Sequence, residues 1–374
     1  MDPHDPFEAR QLRALCAMAL LSPILRLIPG QAAAVAGRAA WASPLVALPL
    51  LLGYVLLLEP LRAAFREGEA LPELALRVLG PRAGRSVLLL LGVWLLLGTG
   101  LALRTDSERF LVTIYPRSNK AFFAVCLGIL GTVAAMGRRR SLLRVARIVE
   151  PLLLAALLAI GLVSLKSLDL WELLPLTPAD APGLLRGSLP ALDILSFGLL
   201  ALCLFPVRQE PSPARLRKSL VWTTAMALLM TALGAAVQGR FGPGLSARLS
   251  APFFALVRDL VFFRSLERLE ALAVALWIFP DLLLIGMTLR AGQHCLRLAL
   301  GWRPRPDESR RDLGEGRWLG WLCGAAATAL GLVLAPGEEA LQLWSARVLP
   351  LSTLTVCFLL VPGILAVGKI RKKL

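Results

Sequence analysis

Apolar residues in this sequence come in unbroken runs, with the charged residues gathered between them; residues 86–103 and 348–367 show the pattern clearly. Such runs approach the ~20 residues that a helix needs to cross the hydrocarbon core of a bilayer. Ten can be drawn, over residues 12–37, 42–59, 86–103, 121–136, 149–165, 187–207, 219–237, 271–289, 318–335 and 348–367. A membrane β-barrel would show short segments of alternating apolar and polar residues instead. Lipid offers no partner to backbone N–H and C=O groups, so continuous apolar runs must pair them internally, as helices. The pattern predicts an all-α polytopic membrane protein with about ten transmembrane helices, forming one transmembrane domain over residues 1–374.

Composition agrees: 57% of residues are hydrophobic, 18% are charged, and the mean hydropathy is +0.69. Soluble domains carry about 25% charged residues. Trp41, Trp171, Trp302, Trp318 and Trp344 fall near span ends, where an amphipathic indole prefers the headgroup region. With both termini on the cytoplasmic side, the cytoplasmic segments hold about twice the Lys and Arg of the opposite ones. Arg138-Arg139-Arg140 and the Lys369–Lys373 tail are the clearest cytoplasmic markers. The start of the chain is acidic where a secretory signal would be basic, so no cleavage is expected. The net charge of +16 is spread over many loops rather than collected on one domain, which argues for membrane topology and against nucleic acid as a partner.

Six cysteines stand singly, without a C-x-x-C pair, and only His4 and His294 accompany them, so neither a metal site nor a disulfide framework is expected. No P-loop, H-E-x-x-H, G-x-S-x-G or dinucleotide-binding glycine motif is present. The sequence therefore predicts no enzyme, no cofactor and no ATP-driven transport by this chain alone.

Ten spans divide into five and five, and because five is odd the second half enters the membrane inverted. The expected repeats cover about 11–165 and 183–367. Binding sites in such proteins lie at interrupted helices in matching positions of the halves. Span one carries Leu21-Ser22-Pro23 and Pro29-Gly30; span six carries Pro190 and Ser196-Phe197-Gly198. Three ionisable residues within spans stand out, each costing about 2.5–3.5 kcal/mol at a helix centre. They are Arg26, Asp193 and Asp281, and Arg26 is expected to pair with Asp193 or Asp281. Between spans seven and eight, the apolar spacing around Phe253-Phe254 and Phe262-Phe263 predicts a short helix on the interface or in the outer vestibule. The charged, proline-containing loop over 301–317 reads as a solvated connection.

At Leu245-Ser-Ala-Arg-Leu-Ser-Ala-Pro252 and Ser265-Leu-Glu-Arg-Leu-Glu-Ala-Leu-Ala-Val-Ala-Leu-Trp-Ile-Phe279 the sequence resembles the spore germination permease family, the polytopic B-type subunits of nutrient germinant receptors. The resemblance extends through Gln11-Leu12, Leu173-Leu-Pro-Leu176 and the ten-span plan, and Glu267-Arg268-x-Glu270 is its most specific part. It implies the LeuT-like fold of the amino acid-polyamine-organocation superfamily, with a 5+5 inverted repeat and broken helices one and six. It also implies sensing of a small germinant such as an amino acid in the spore inner membrane, beside an A-type membrane subunit and a C-type lipoprotein. The ligand pocket implied by the resemblance lies around Leu21, Ser22, Pro23, Ser196, Phe197 and Gly198, with Asp281 and Thr288 nearby. Asp193, three residues before the span-six motif, is a further candidate. Family members often carry an acidic residue just after that motif, where this chain has Leu199. The alternative is an amino-acid permease or ion-coupled symporter.

Overall fold

The computed structural model describes residues 8–113, 118–137, 139–165, 168–174, 176–208, 210–249, 251–259, 269–302 and 317–371. The acidic start with His4, Arg138, Pro175, Ser250, Phe262-Phe263, Glu267-Arg268, the loop residues 303–316 and Lys372-Lys373 lie outside the described residues.

Each expected span falls largely on a helix, with only residues 202–207 of span six running well past the helix end. Spans one and two are α1 (Ala9–Ala36) and α2 (Ser43–Ala63), joined by a 3-10 turn at Gly37–Ala42. A short amphipathic helix, α3 (Leu71–Leu79), precedes spans three to five, which are α4 (Pro81–Thr113), α5 (Lys120–Met136) and α6 (Arg139–Ser164). Span six comprises α7 (Ala181–Gly187) and α8 (Leu189–Ala201), bent by 41° at Ser188. Span seven is α9 (Ser212–Arg248), followed by the short α10 (Pro252–Asp259). Spans eight and nine are α11 (Leu269–Ala299) and α12 (Arg317–Leu334). Span ten is α13 (Glu338–Leu343), α14 (Leu349–Thr355) and α15 (Val361–Ile370), run together through π-helical turns at Trp344–Val348 and Val356–Leu360.

The irregularities match the expectation in part: helix six is broken beside Pro190, whereas helix one is not broken. Helix α1 runs unbroken through both Leu21-Ser22-Pro23 and Pro29-Gly30. Each proline withdraws a single N–H donor, and the buried packing of Leu20, Leu21 and Ile24 holds the helix together around the gap. Helix six bends at Ser188 rather than at Ser196-Phe197-Gly198, because Pro190 takes the second position of α8, where a missing N–H costs nothing. Span three also outruns its apolar stretch by ten residues, from Leu103 to Thr113. Within α9, Gly242 has φ 69°, a conformation that only glycine takes readily, and the helix restarts at Pro243.

Two helix sets make up the bundle. One packs α1 and α2 against α8 and α9; the other packs α4 and α5 against α11 and α12. Each thus combines two helices from either half of the chain. Small residues set the approach in the second set. A Cβ at Gly100 or Gly331 would collide with the other's backbone, and one at Gly128 or Gly324 with Thr328 or Thr132. With no hydrophobic driving force between helices in lipid, this close contact is what holds them together. The α10 helix is tucked in rather than laid on the surface, with Phe253, Phe254 and Leu256 buried against α1 and α9.

Polar side chains pin the ends. Gln238 of α9 donates to the carbonyls of Gly37, Arg38 and Glu172 and accepts from the Trp41 N–H, tying the end of α1 to two connecting segments. At the other end of α1, Arg13 pairs with Glu210, which also pairs with Lys218, while Arg215 of α9 pairs with Glu59 of α2. Glu73 of α3 accepts from the Ala70 N–H and lies 2.5 Å from His294 Nε2 of α11.

Two outcomes are expected. Gly331→Ala should lower the apparent melting temperature of the purified protein, at a cost of about 1–3 kcal/mol for overpacking, while Gly53→Ala, with open space around it, should not. Burial by itself pushes the Glu73 carboxyl up, but the hydrogen bond and charge of His294 and the backbone donors outweigh it and hold it below the usual carboxylate range. A depressed carboxyl stabilises the fold above its unfolded value of about 4.3 and loses that contribution as pH falls through the folded value. Glu73→Gln should therefore melt below wild type at pH 7, and the gap should close under acid; a gap independent of pH would refute the linkage.

Candidate functional site

Where α1 meets α4 and α11, four ionisable side chains are buried together. Arg109 of α4 reaches Asp281 of α11 at 3.0 Å and Asp106, one turn back on α4, at 3.6 Å. Arg26 of α1 reaches the same Asp106 oxygen at 3.5 Å. Both Arg109 Nη atoms approach the Ser22 hydroxyl at 3.4 Å. Two guanidinium groups and two carboxylates balance, which is the condition under which such charges are tolerated in hydrocarbon.

The hydrogen bonding is less complete than the charge balance. Among the described residues, buried Asp106 Oδ1 and Arg26 Nε have no hydrogen-bond partner, since the ion-pair distances to Asp106 exceed hydrogen-bond length. Among the described residues, Ser22 is held by long contacts to Arg109. The cluster thus keeps a donor and an acceptor free at its centre, a few ångströms from charges of both signs.

Arg26 does not pair with Asp193 or Asp281 as the sequence suggested; its partner is Asp106, on the part of α4 that lies beyond the apolar run. Asp281 is taken by Arg109. Leu21 and Pro23 flank Ser22 in the buried face of α1. Thr288, two turns along α11 from Asp281, accepts from Thr99 of α4 at 2.9 Å and forms a second polar rung between the same two antiparallel helices. The helix-six candidates lie apart from the charges. Asp193 lies against Thr353 of α14 and joins no ion pair among the described residues. Ser196 is fully buried, and its hydroxyl has no partner among the described residues. Phe197 packs edge-on to Trp94 of α4 at 6.0 Å, and Trp94 donates to Ser352 at 3.0 Å. Gly198 serves packing: a Cβ there would collide with Leu20 of α1 and crowd Trp222 of α9.

Asp106 and Arg109 are the functional candidates that hydropathy misses. Their signal was present, because an acid and a base three residues apart share one helix face, directly after an apolar run. Among the described residues no group of His, Cys, Asp and Glu is arranged to hold a metal.

The bundle is one that solved transporters share. A nucleobase-cation-symport-1 family transporter in a closed conformation with bromovinylhydantoin bound matches with a TM-score of 0.58 at 14% identity, covering 95% of this chain and 78% of that one. MhsT in complex with L-phenylalanine matches with a TM-score of 0.58 at 18% identity, over 93% of this chain and 88% of that one. A Na+-coupled sialic acid symporter in a substrate-bound outward-open state matches with a TM-score of 0.56 at 12% identity, over 96% and 79%. These similarities establish the fold: a polytopic helical membrane protein of LeuT-like fold. None of the curated proteins matches. The family described as spore germination protein matches residues 9–298, most of the chain, and the protein belongs to that family.

Removing one partner of a buried ion pair strands the other, at about 3–5 kcal/mol, whereas an apolar pair in its place is often neutral. Asp281→Leu and Arg109→Met alone should each lower the melting temperature markedly, and the double variant should recover much of the loss. Additive losses in the double-mutant cycle would show that the two residues do not act as a pair.

Proposed function

We propose that this chain is the membrane subunit of a spore nutrient germinant receptor, which binds a small germinant such as an amino acid and passes the event on as a change of helix packing that triggers germination. The observation that carries this reading is the cluster of Arg26, Asp106, Arg109 and Asp281, with its unsatisfied donor and acceptor beside Ser22. A small zwitterion brings one carboxylate and one ammonium, and both would find partners there. Family membership and the transporter fold support a small-molecule ligand. In this reading Leu21, Ser22, Pro23, Asp281 and Thr288 line the ligand, Arg26 is its charge partner on α1, and Ser196, Phe197 and Gly198 supply the facing helix. The working assembly includes an A-type membrane subunit and a C-type lipoprotein in the spore inner membrane, with both termini of this chain cytoplasmic.

The second reading is a permease or ion-coupled symporter, favoured by neighbours in the same fold that are symporters. The two differ in flux. A ligand that binds only the folded state raises stability, by about 2.7 kcal/mol at a hundred times its Kd. Melting of the purified chain across a panel of amino acids and sugars should show a shift for one or a few compounds, lost in Asp106→Asn and reduced in Ser22→Ala. A receptor subunit shows that shift without concentrative uptake into liposomes. Uptake would support the symporter, and shifts unchanged in both variants would place the ligand elsewhere.

A further inference from the structure

We propose that the cleft where α1 and α9 begin and α2 and α8 end is a binding site for a phosphate group, carried by an anionic lipid or free in solution. The cleft is lined by Arg62, Arg208 and Arg215 and by an apolar wall of Phe65, Leu202 and Phe205, and it encloses about 360 Å³ with the space it shares with solvent. Arg62, near the end of α2, is the residue that calls for a ligand. It is 8% exposed, and its Nη1 donates to the Ser219 hydroxyl at 3.0 Å. Among the described residues no carboxylate lies within ion-pair distance of it. A buried guanidinium held by a neutral hydroxyl alone is a costly arrangement, and an anion in the cleft would relieve it.

The carboxylates that could serve Arg62 are engaged elsewhere. Glu59, one turn back on α2, accepts from Arg215 at 2.7 Å and from the Ser212 hydroxyl at 2.6 Å. Glu210, in the wall of the cleft, is shared by Arg13 at 3.4 Å and Lys218 at 2.8 Å. Arg208 is exposed at the rim and joins no ion pair among the described residues. Around the cleft Arg13, Arg62, Arg208, Arg215 and Lys218 thus face only Glu59, Glu210 and Glu8, the last exposed beside Ala9. The excess of cations falls on Arg62 and Arg208.

Two guanidinium groups on one cleft suit a ligand that accepts hydrogen bonds from several directions. A phosphate does so, and arginine meets it with paired N–H donors. The start of α9 adds to the field, because its first turn holds no acidic residue and no capping side chain to offset the positive end of the helix dipole. The apolar wall suits a lipid, whose acyl chains follow its phosphate, while a free phosphate would use the arginines alone. Bound there, the anion joins α2 to the segment between α8 and α9. Ala9 stands thirteen residues before Ser22, about 20 Å along a helix, so the site is separate from the charge cluster and does not depend on the germinant reading.

Melting of the purified full chain at fixed ionic strength tests the site in two arms. In one, mixed micelles contain phosphatidylglycerol or phosphatidylcholine; in the other, sodium phosphate replaces sodium chloride. Phosphate salts stabilise proteins in general by exclusion from their surface, so only the part of a shift that Arg62→Gln and Arg208→Gln remove counts. Arg186→Gln, at an exposed position of α7 beside the far end of α1, controls for net charge. The melting temperature should rise in at least one arm, and the rise should be lost in both cleft variants and kept in Arg186→Gln. A rise of this kind confined to the lipid arm assigns a headgroup, and one in the salt arm assigns a soluble phosphate. Arg208 is exposed, so its variant should fold even where Arg62→Gln does not. No rise in either arm, or a rise that Arg208→Gln keeps, would overturn the proposal.

Discussion

Charges that enter hydrocarbon must leave with a partner, and in this protein that rule fixes where three helices meet. Arg109 binds Asp281 at 3.0 Å within the helix set of α4, α5, α11 and α12, where glycines already bring backbones together. Arg26 reaches across from the other set to Asp106 at 3.5 Å. The joint inside the second set is thus shorter and better hydrogen-bonded than the joint between the sets. Packed interfaces of this kind shift between discrete arrangements rather than deform smoothly. If the sets move relative to each other, the Arg26 contact is the place where the least is lost.

That same junction holds the unsatisfied donor and acceptor. A molecule that completes their hydrogen bonds changes the balance between arrangements only to the extent that it binds one better than the other. Because Asp106 is shared by Arg26 and Arg109, any group that draws on either guanidinium alters both the joint within the set and the joint across it. Sensing and transport begin from this same physics and differ in whether the ligand leaves on the far side.

Much of the fold was legible in the sequence because hydropathy is a bulk property of long segments, and the ten expected spans fall largely on helices. Of the candidate site, Ser22, Arg26 and Asp281 do come together. Their true connections were hidden by reading the end of the apolar run at Leu103 as the end of the helix. Arg104 and Asp106, 1% and 4% exposed, look from the sequence like loop residues, yet each is buried by a neighbouring element: Arg104 donates to the Ala335 carbonyl and Asp106 faces Arg26. Proline and glycine misled for a related reason. Local chemistry says that Pro23 removes a donor and that Gly198 lacks a side chain, but only packing decides whether the result is a break or a close contact, and here it is a close contact between α8 and α1.

That contact links the two polar regions. Helix α8 presses Gly198 onto Leu20, two residues before Ser22, and turns Asp193, more than one helical turn earlier, toward Thr353 of the last helix. Phe197 lies between them, edge-on to Trp94, which in turn donates to Ser352. Because Leu20 fills the space that a side chain at Gly198 would need, α1 and α8 are in direct contact two residues from Ser22, and a displacement of α1 at the charge cluster bears on α8 without any intervening side chain to absorb it.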